Sequence, residues 1–114
     1  MEDIENARHT QERGTLVRVL KENYQEEMTS IQMLIRMLDR LNIPLSYEGM
    51  VFHLHYLEDG GYLKLWRARD LPNFRRDRTA PGSRKPGDVM FAKLLPKGLQ
   101  LLDGRIPEDP QVTF

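Results

Sequence analysis

"HYLEDGGYLKLWRA", residues 55–68, decides the fold. Apolar residues three and four apart lead into it from Met50 through Leu54 and Leu57, the spacing of one helix face. The doublet Gly60-Gly61 then permits the positive φ that ends a helix without steric cost. From Tyr62 the period changes to two: Tyr62, Lys64 and Trp66 face one way, Leu63 and Leu65 the other. That alternation predicts a half-buried strand directly after the helix.

Upstream, Ser46 is placed to cap this helix, with Leu45 and Met50 in staple positions. Only "NIPL" (residues 42–45) separates it from a preceding amphipathic helix. That helix carries Ile31, Leu34, Ile35, Leu38 and Leu41 on one stripe, and Met37 beside it widens the buried face. Thr29 and Gln32 suit a capping box there, with Met28 and Met33 as a staple. Asn42 and Pro44 stop the helix near Leu41. Two helices joined by so short a link read as a helix-turn-helix. Further back, Leu16, Val19, Leu20 and Tyr24 predict a first helix from Gly14, ended by the polar "NYQEEM". Residues 1–13 are a charged lead-in, either helical or loose.

Downstream, "DLPNFRRDRTAPGSRKPG" (residues 70–87) is rich in Pro, Gly and Arg and reads as a long loop. "DVMFAKL" (88–94) looks like the returning antiparallel strand. Pro96 suits a first helical turn and Gly104 a stop. Residues 105–114, with two prolines, read as an extended tail.

The 114 residues suit one domain, with seventeen basic and seventeen acidic residues in balance. A dedicated nucleic-acid binder is more often basic overall, so any such role must come from local clustering. The chain has no cysteine, which excludes disulfides and thiol chemistry. It shows no signal peptide and no membrane-length apolar run, so the expected location is the cytoplasm. Neither a glycine-rich phosphate loop nor a Gly-x-Ser-x-Gly elbow is present, and no enzyme is expected. His53 and His55 point apart on a helix and His9 has no evident partner, so no metal or other cofactor is expected.

Helix, helix, helix, strand, long hairpin loop, strand, short helix is the order of a winged helix-turn-helix domain. "FHLHYLEDGGYLKL" resembles the end of that superfamily's recognition helix and the strand after it. "FAKLLPKGLQLLDG" resembles its closing strand and helix, with Leu94, Gly98, Leu101 and Leu102 in pattern and Leu95 where a threonine is usual. The resemblance covers about residues 14–104 and implies an α+β, mainly helical fold: a three-helix core, a two-stranded β-wing and a short C-terminal helix. It further implies a small bacterial or phage regulator that binds double-stranded DNA.

In such a domain the third helix faces the major groove. Its outward residues here are Glu48, Phe52, His55 and Asp59, with Tyr47 and Tyr56 at the borders. Tyr47, Phe52 and His55 are the candidate groove contacts. No Lys or Arg lies between Ser46 and Asp59, although phosphates and guanines are most often met by these residues. The cations are in the loop: Arg75, Arg76, Arg78, Arg84 and Lys85, with Arg67 on its approach, are the expected phosphate contacts. A competing reading makes the loop a solvated hairpin tip, and Phe52 and Tyr56 part of a core or dimer contact. Met28, Met33, Met37 and Ile35 offer a strip for homodimerisation. The rival function is a protein-interaction or dimerisation module that does not bind DNA. Trp66 is expected to pack on the first helix or a terminal segment.

Overall fold

The computed structural model describes residues 2–71 and 85–114. Among them are four α-helices and one three-stranded antiparallel sheet, an α+β arrangement. Chain order runs α1 (Glu2–Glu22), β1 (Thr29–Ser30), α2 (Ile31–Arg40), α3 (Tyr47–Asp59), β2 (Leu63–Arg67), β3 (Val89–Leu94) and α4 (Pro96–Leu102), with a 3₁₀ turn at Ala68–Asp70. Among the described residues, no helix is long and apolar enough to cross a membrane.

The charged lead-in and the apolar segment after it form one continuous helix, α1. Gly14 sits inside it, where glycine costs about 1 kcal/mol relative to alanine. The reason is close approach: a Cβ there would lie 1.8 Å from the Thr113 carbonyl oxygen. The C-terminal tail crosses α1 at this point, and the Thr113 N–H donates to the Thr10 carbonyl at 3.0 Å. The tail is therefore not a loose extension, and Val112 is buried in the core.

Ser30, not Thr29, caps α2; its hydroxyl accepts from the Met33 N–H. Thr29 is drawn instead into the two-residue strand β1, which sequence periodicity did not foretell. With the cap one residue later, Met33 leaves the staple position and is half exposed. Leu41 and Asn42 end α2 as expected, with Asn42 at φ 63°. Ser46 caps α3 through the Gly49 N–H. Gly61 takes φ 79°, and the chain enters β2 two residues later.

The sheet order is β1-β3-β2, so the strand nearest the C-terminus is central. Leu63 pairs with Leu94, Leu65 with Ala92 and Trp66 with Phe91; Thr29 pairs with Ala92 from the other edge. The register slips between Trp66 and Arg67, so that Arg67 meets Val89. Such a bulge adds twist and turns the end of the ribbon. Lys93 donates its ammonium to the Tyr24 and Glu26 carbonyls, fixing the α1–β1 connection on the sheet.

Leu16 and Leu20 of α1, Leu34 and Leu38 of α2, Met50, Leu54 and Leu57 of α3, Leu63 of β2 and Leu94 of β3 are all at most 1% exposed in one core. All but Leu94, for which no period is predicted, follow the predicted periodicity; Leu41, placed on the same stripe as Leu34 and Leu38, is instead 54% exposed. Trp66 is half-buried and lies outside this core cluster; the Lys64 ammonium sits 4.7 Å from its ring centroid.

Candidate functional site

Helix α3 has two faces with different chemistry. Its outer face carries an open groove of about 480 Å³ lined by Tyr47, Glu48, Val51, Phe52, His55, Tyr56 and Asp59. Phe52 is 56% exposed, the most exposed large apolar side chain of α3 among the described residues. Glu48, His55 and Asp59 are exposed around it. The three candidate groove residues, Tyr47, Phe52 and His55, thus share one surface.

Tyr47 also ties this face to the sheet. Its hydroxyl donates to the Val89 carbonyl at 3.1 Å, across 42 residues. Burial, with the charges of Asp88 and Glu48, pushes the phenol above its ordinary pKa, so it stays a donor. The first turn of α3 therefore lies against the start of β3. The ribbon continues outward from there: the Ala68 N–H bonds the Asp88 carbonyl and the Arg69 N–H bonds the Pro86 carbonyl.

Arg67 is not a free cation on this surface. Its guanidinium donates to the Glu58 carboxylate at 3.1 Å, joining β2 to α3. Lys85 is exposed beside a tight turn in which its N–H bonds the Asp88 carboxylate. Arg75, Arg76, Arg78 and Arg84 lie outside the described residues. On α2, Met33 is 51% exposed while Ile35 and Met37 are half-buried, as is Met28 just before β1.

The inner side of α3 meets α1 and the tail through polar groups the periodicity did not single out. His53, 1% exposed, lies 2.6 Å through Nε2 from the buried Glu12 carboxylate. Burial lowers the imidazole's pKa, Arg13 and His9 lower it further, and together they outweigh the pull of Glu12. A neutral ring then donates its Nε2–H to the carboxylate. Arg8 holds the other Glu12 oxygen at 3.2 Å. His9 stands one turn before Glu12, its Nδ1 3.6 Å from Glu12 Oε2 and its ring 5.3 Å from that of His53. His9, for which the sequence shows no evident partner, takes its neighbours from its own helix and from α3.

Beside this cluster, the Arg13 guanidinium stacks over Tyr56 at 4.3 Å and Phe52 at 5.5 Å and donates to the Gln111 carbonyl. Asp109 of the tail accepts from Tyr62 at 2.8 Å, Tyr56 at 3.0 Å and the Gln111 N–H at 2.9 Å. Burial alone would raise its carboxyl, but these donors and Arg13 hold it below the ordinary value. Tyr62 is pushed up to about 12 by burial first and then by Asp109. Both tyrosines are therefore neutral donors, and the tail is clamped to the C-terminal half of α3.

Comparison with protein-family models, with curated proteins and with solved structures returned no match.

Proposed function

We propose that this chain is a winged helix-turn-helix protein that binds double-stranded DNA as a homodimer, without catalysis, in a regulatory role. Support for the fold assignment comes from the order of elements, with a short strand before α2 pairing to β3 in a β1-β3-β2 sheet. Helix α3 would be the reading helix and the β2–β3 connection the wing.

One observation carries the DNA reading: the Tyr47–Val89 bond at the root of the β2–β3 ribbon. A connection whose sequence holds Arg75, Arg76, Arg78 and Arg84 returns at Val89 beside the first turn of α3, after leaving β2 at Arg67, which is tied to Glu58 in the last turn. The N-terminal part of a reading helix is the part that meets base edges. Cations from the wing on neighbouring phosphates would supply the charge that α3 lacks. Tyr47, Phe52 and His55 would face the groove.

Anisotropy titration of a labelled random-sequence duplex at low salt tests this. The wild-type chain is expected to bind, and the Arg75→Ala, Arg76→Ala, Arg78→Ala variant to bind more weakly. No binding by wild-type protein at low salt would overturn the proposal.

A second reading has its own observation. The outer face of α3 has no Lys or Arg, exposes Phe52 and bears Glu48 and Asp59. Negative charge there opposes phosphate, and an exposed aromatic suits a protein partner. Absence of duplex binding would favour this interaction role.

A further inference from the structure

We propose that His9, Glu12 and His53 form a binding site for a divalent transition metal of the zinc class, joining α1 to α3. The proposal does not depend on DNA binding.

One ligand atom from each of His9, Glu12 and His53 lies within 4.8 Å of the other two. Glu12 Oε2 is the oxygen nearest both rings, 3.6 Å from His9 Nδ1 and 2.6 Å from His53 Nε2. Bonds of about 2.0–2.1 Å in a tetrahedral site set donors roughly 3.3 Å apart. The His9–Glu12 separation of 3.6 Å is already near that value. The His53–Glu12 separation of 2.6 Å is a hydrogen bond, and it must open by roughly 0.7 Å to admit an ion. On binding, the His53 proton moves from Nε2 to Nδ1 and the freed Nε2 lone pair becomes the ligand. Buried Nδ1 has no hydrogen-bond partner in the present arrangement, so the change of tautomer breaks no bond there, while the new Nδ1–H, left without a partner, limits the affinity.

The surroundings suit an ion. Arg8 grips Glu12 Oε1, which leaves Oε2 turned toward both imidazoles; outer partners of this kind orient metal ligands. His9 Nδ1 is likewise buried without a hydrogen-bond partner. A cavity of about 380 Å³ opens on the cluster, walled by Leu45, Gly49 and Phe52, with Glu5 and Arg8 at its rim. It gives a path for the ion and room for a water as fourth ligand. Two imidazoles and one carboxylate select zinc, cobalt or nickel over magnesium or calcium, which prefer all-oxygen sites. Positive charge on Arg8 and Arg13 opposes the ion and limits its affinity. Bound there, the ion would cross-link α3 to α1.

The test is calorimetric titration of the chelator-treated full chain with zinc chloride, with Co²⁺ visible absorption reporting imidazole coordination. One equivalent of Zn²⁺ is expected to bind and to raise the melting temperature. His9 is 45% exposed at its side chain, so His9→Ala should fold, which circular dichroism verifies. That variant should lose at least the roughly tenfold affinity that removal of even an outer-shell partner costs. His55→Ala, on the opposite face, should bind as wild type does. No zinc uptake by wild type, uptake undiminished in His9→Ala, or equal loss in His55→Ala would each overturn the proposal.

Discussion

Asp109→Ala should be among the most damaging substitutions outside the apolar core. The carboxylate accepts from two phenols and one backbone N–H, and Tyr62 is only 7% exposed, so its hydroxyl has little access to water once the partner is gone. A hydrogen bond to a charged group contributes about 1.5–3 kcal/mol, and a neutral donor left without a partner costs about 1–3 kcal/mol. Asp109 is itself half-buried, which places both phenol bonds at the low end of that range. The expected loss is about 3 kcal/mol. Unfolding entropy near 2.1 cal/mol/K per residue converts this, over 114 residues, to a fall of about 12 °C in melting temperature. Thermal and urea unfolding of wild type, Asp109→Ala, Tyr62→Phe and the double variant would measure it. The cycle should give a coupling of about 1 kcal/mol or more, because the two groups share one bond. A loss under about 1 kcal/mol with additive single effects would refute the claim that the tail is clamped through Asp109.

Other expectations follow from the same contacts. Gly14→Ala should destabilise the chain by ~1–3 kcal/mol through tail displacement, although helix propensity alone predicts a gain of about 1 kcal/mol; the sign of the change in urea midpoint decides. Ser30→Ala should cost about 1 kcal/mol as loss of a helix cap, and Thr29→Ala should leave that cap bond intact; comparing melting curves with amide exchange at Met33 separates the two. Asp109 has its carboxyl depressed in the folded chain, so its contribution is complete above the ordinary value of 3.8 and is lost as pH falls through the folded value. Tyr62 behaves in the opposite sense: held neutral up to about 12, it contributes below pH 10.0 and loses that contribution as pH rises through 12. Melting temperature against pH should therefore fall at both extremes, and Asp109→Asn should flatten the acid limb.

Most of the architecture was legible because it rests on period and punctuation. Leu54, Leu57 and Gly60-Gly61 mark the end of α3, and Ser46 its start, through residues whose local preferences agree with the fold. Strand β1 was not legible: two residues show no period, and Thr29-Ser30 looks like any helix cap until Ala92 and Phe91 are known to lie beside it. The outer face of α3 could be read from rotation at 100° per residue. The inner cluster could not, because Glu12 and His53 are 41 residues apart and a charged residue in a charged helix gives no sign of burial. A His and a Glu three apart, at His9 and Glu12, were the only trace. The two prolines of the tail point to an irregular, extended segment, as found, but its contacts are not legible: Asp109 and Val112 acquire roles only through residues far from them in sequence.

The measurement that bears most directly on the proposed role is the salt dependence of duplex affinity. Each phosphate neutralised contributes a slope of about −0.9 to log K against log salt. For wild-type protein the account predicts a linear, steeply negative plot, and replacing Arg75, Arg76 and Arg78 by alanine should make it shallower by about 2.7. A slope near zero, or one unchanged by the three substitutions, would contradict it.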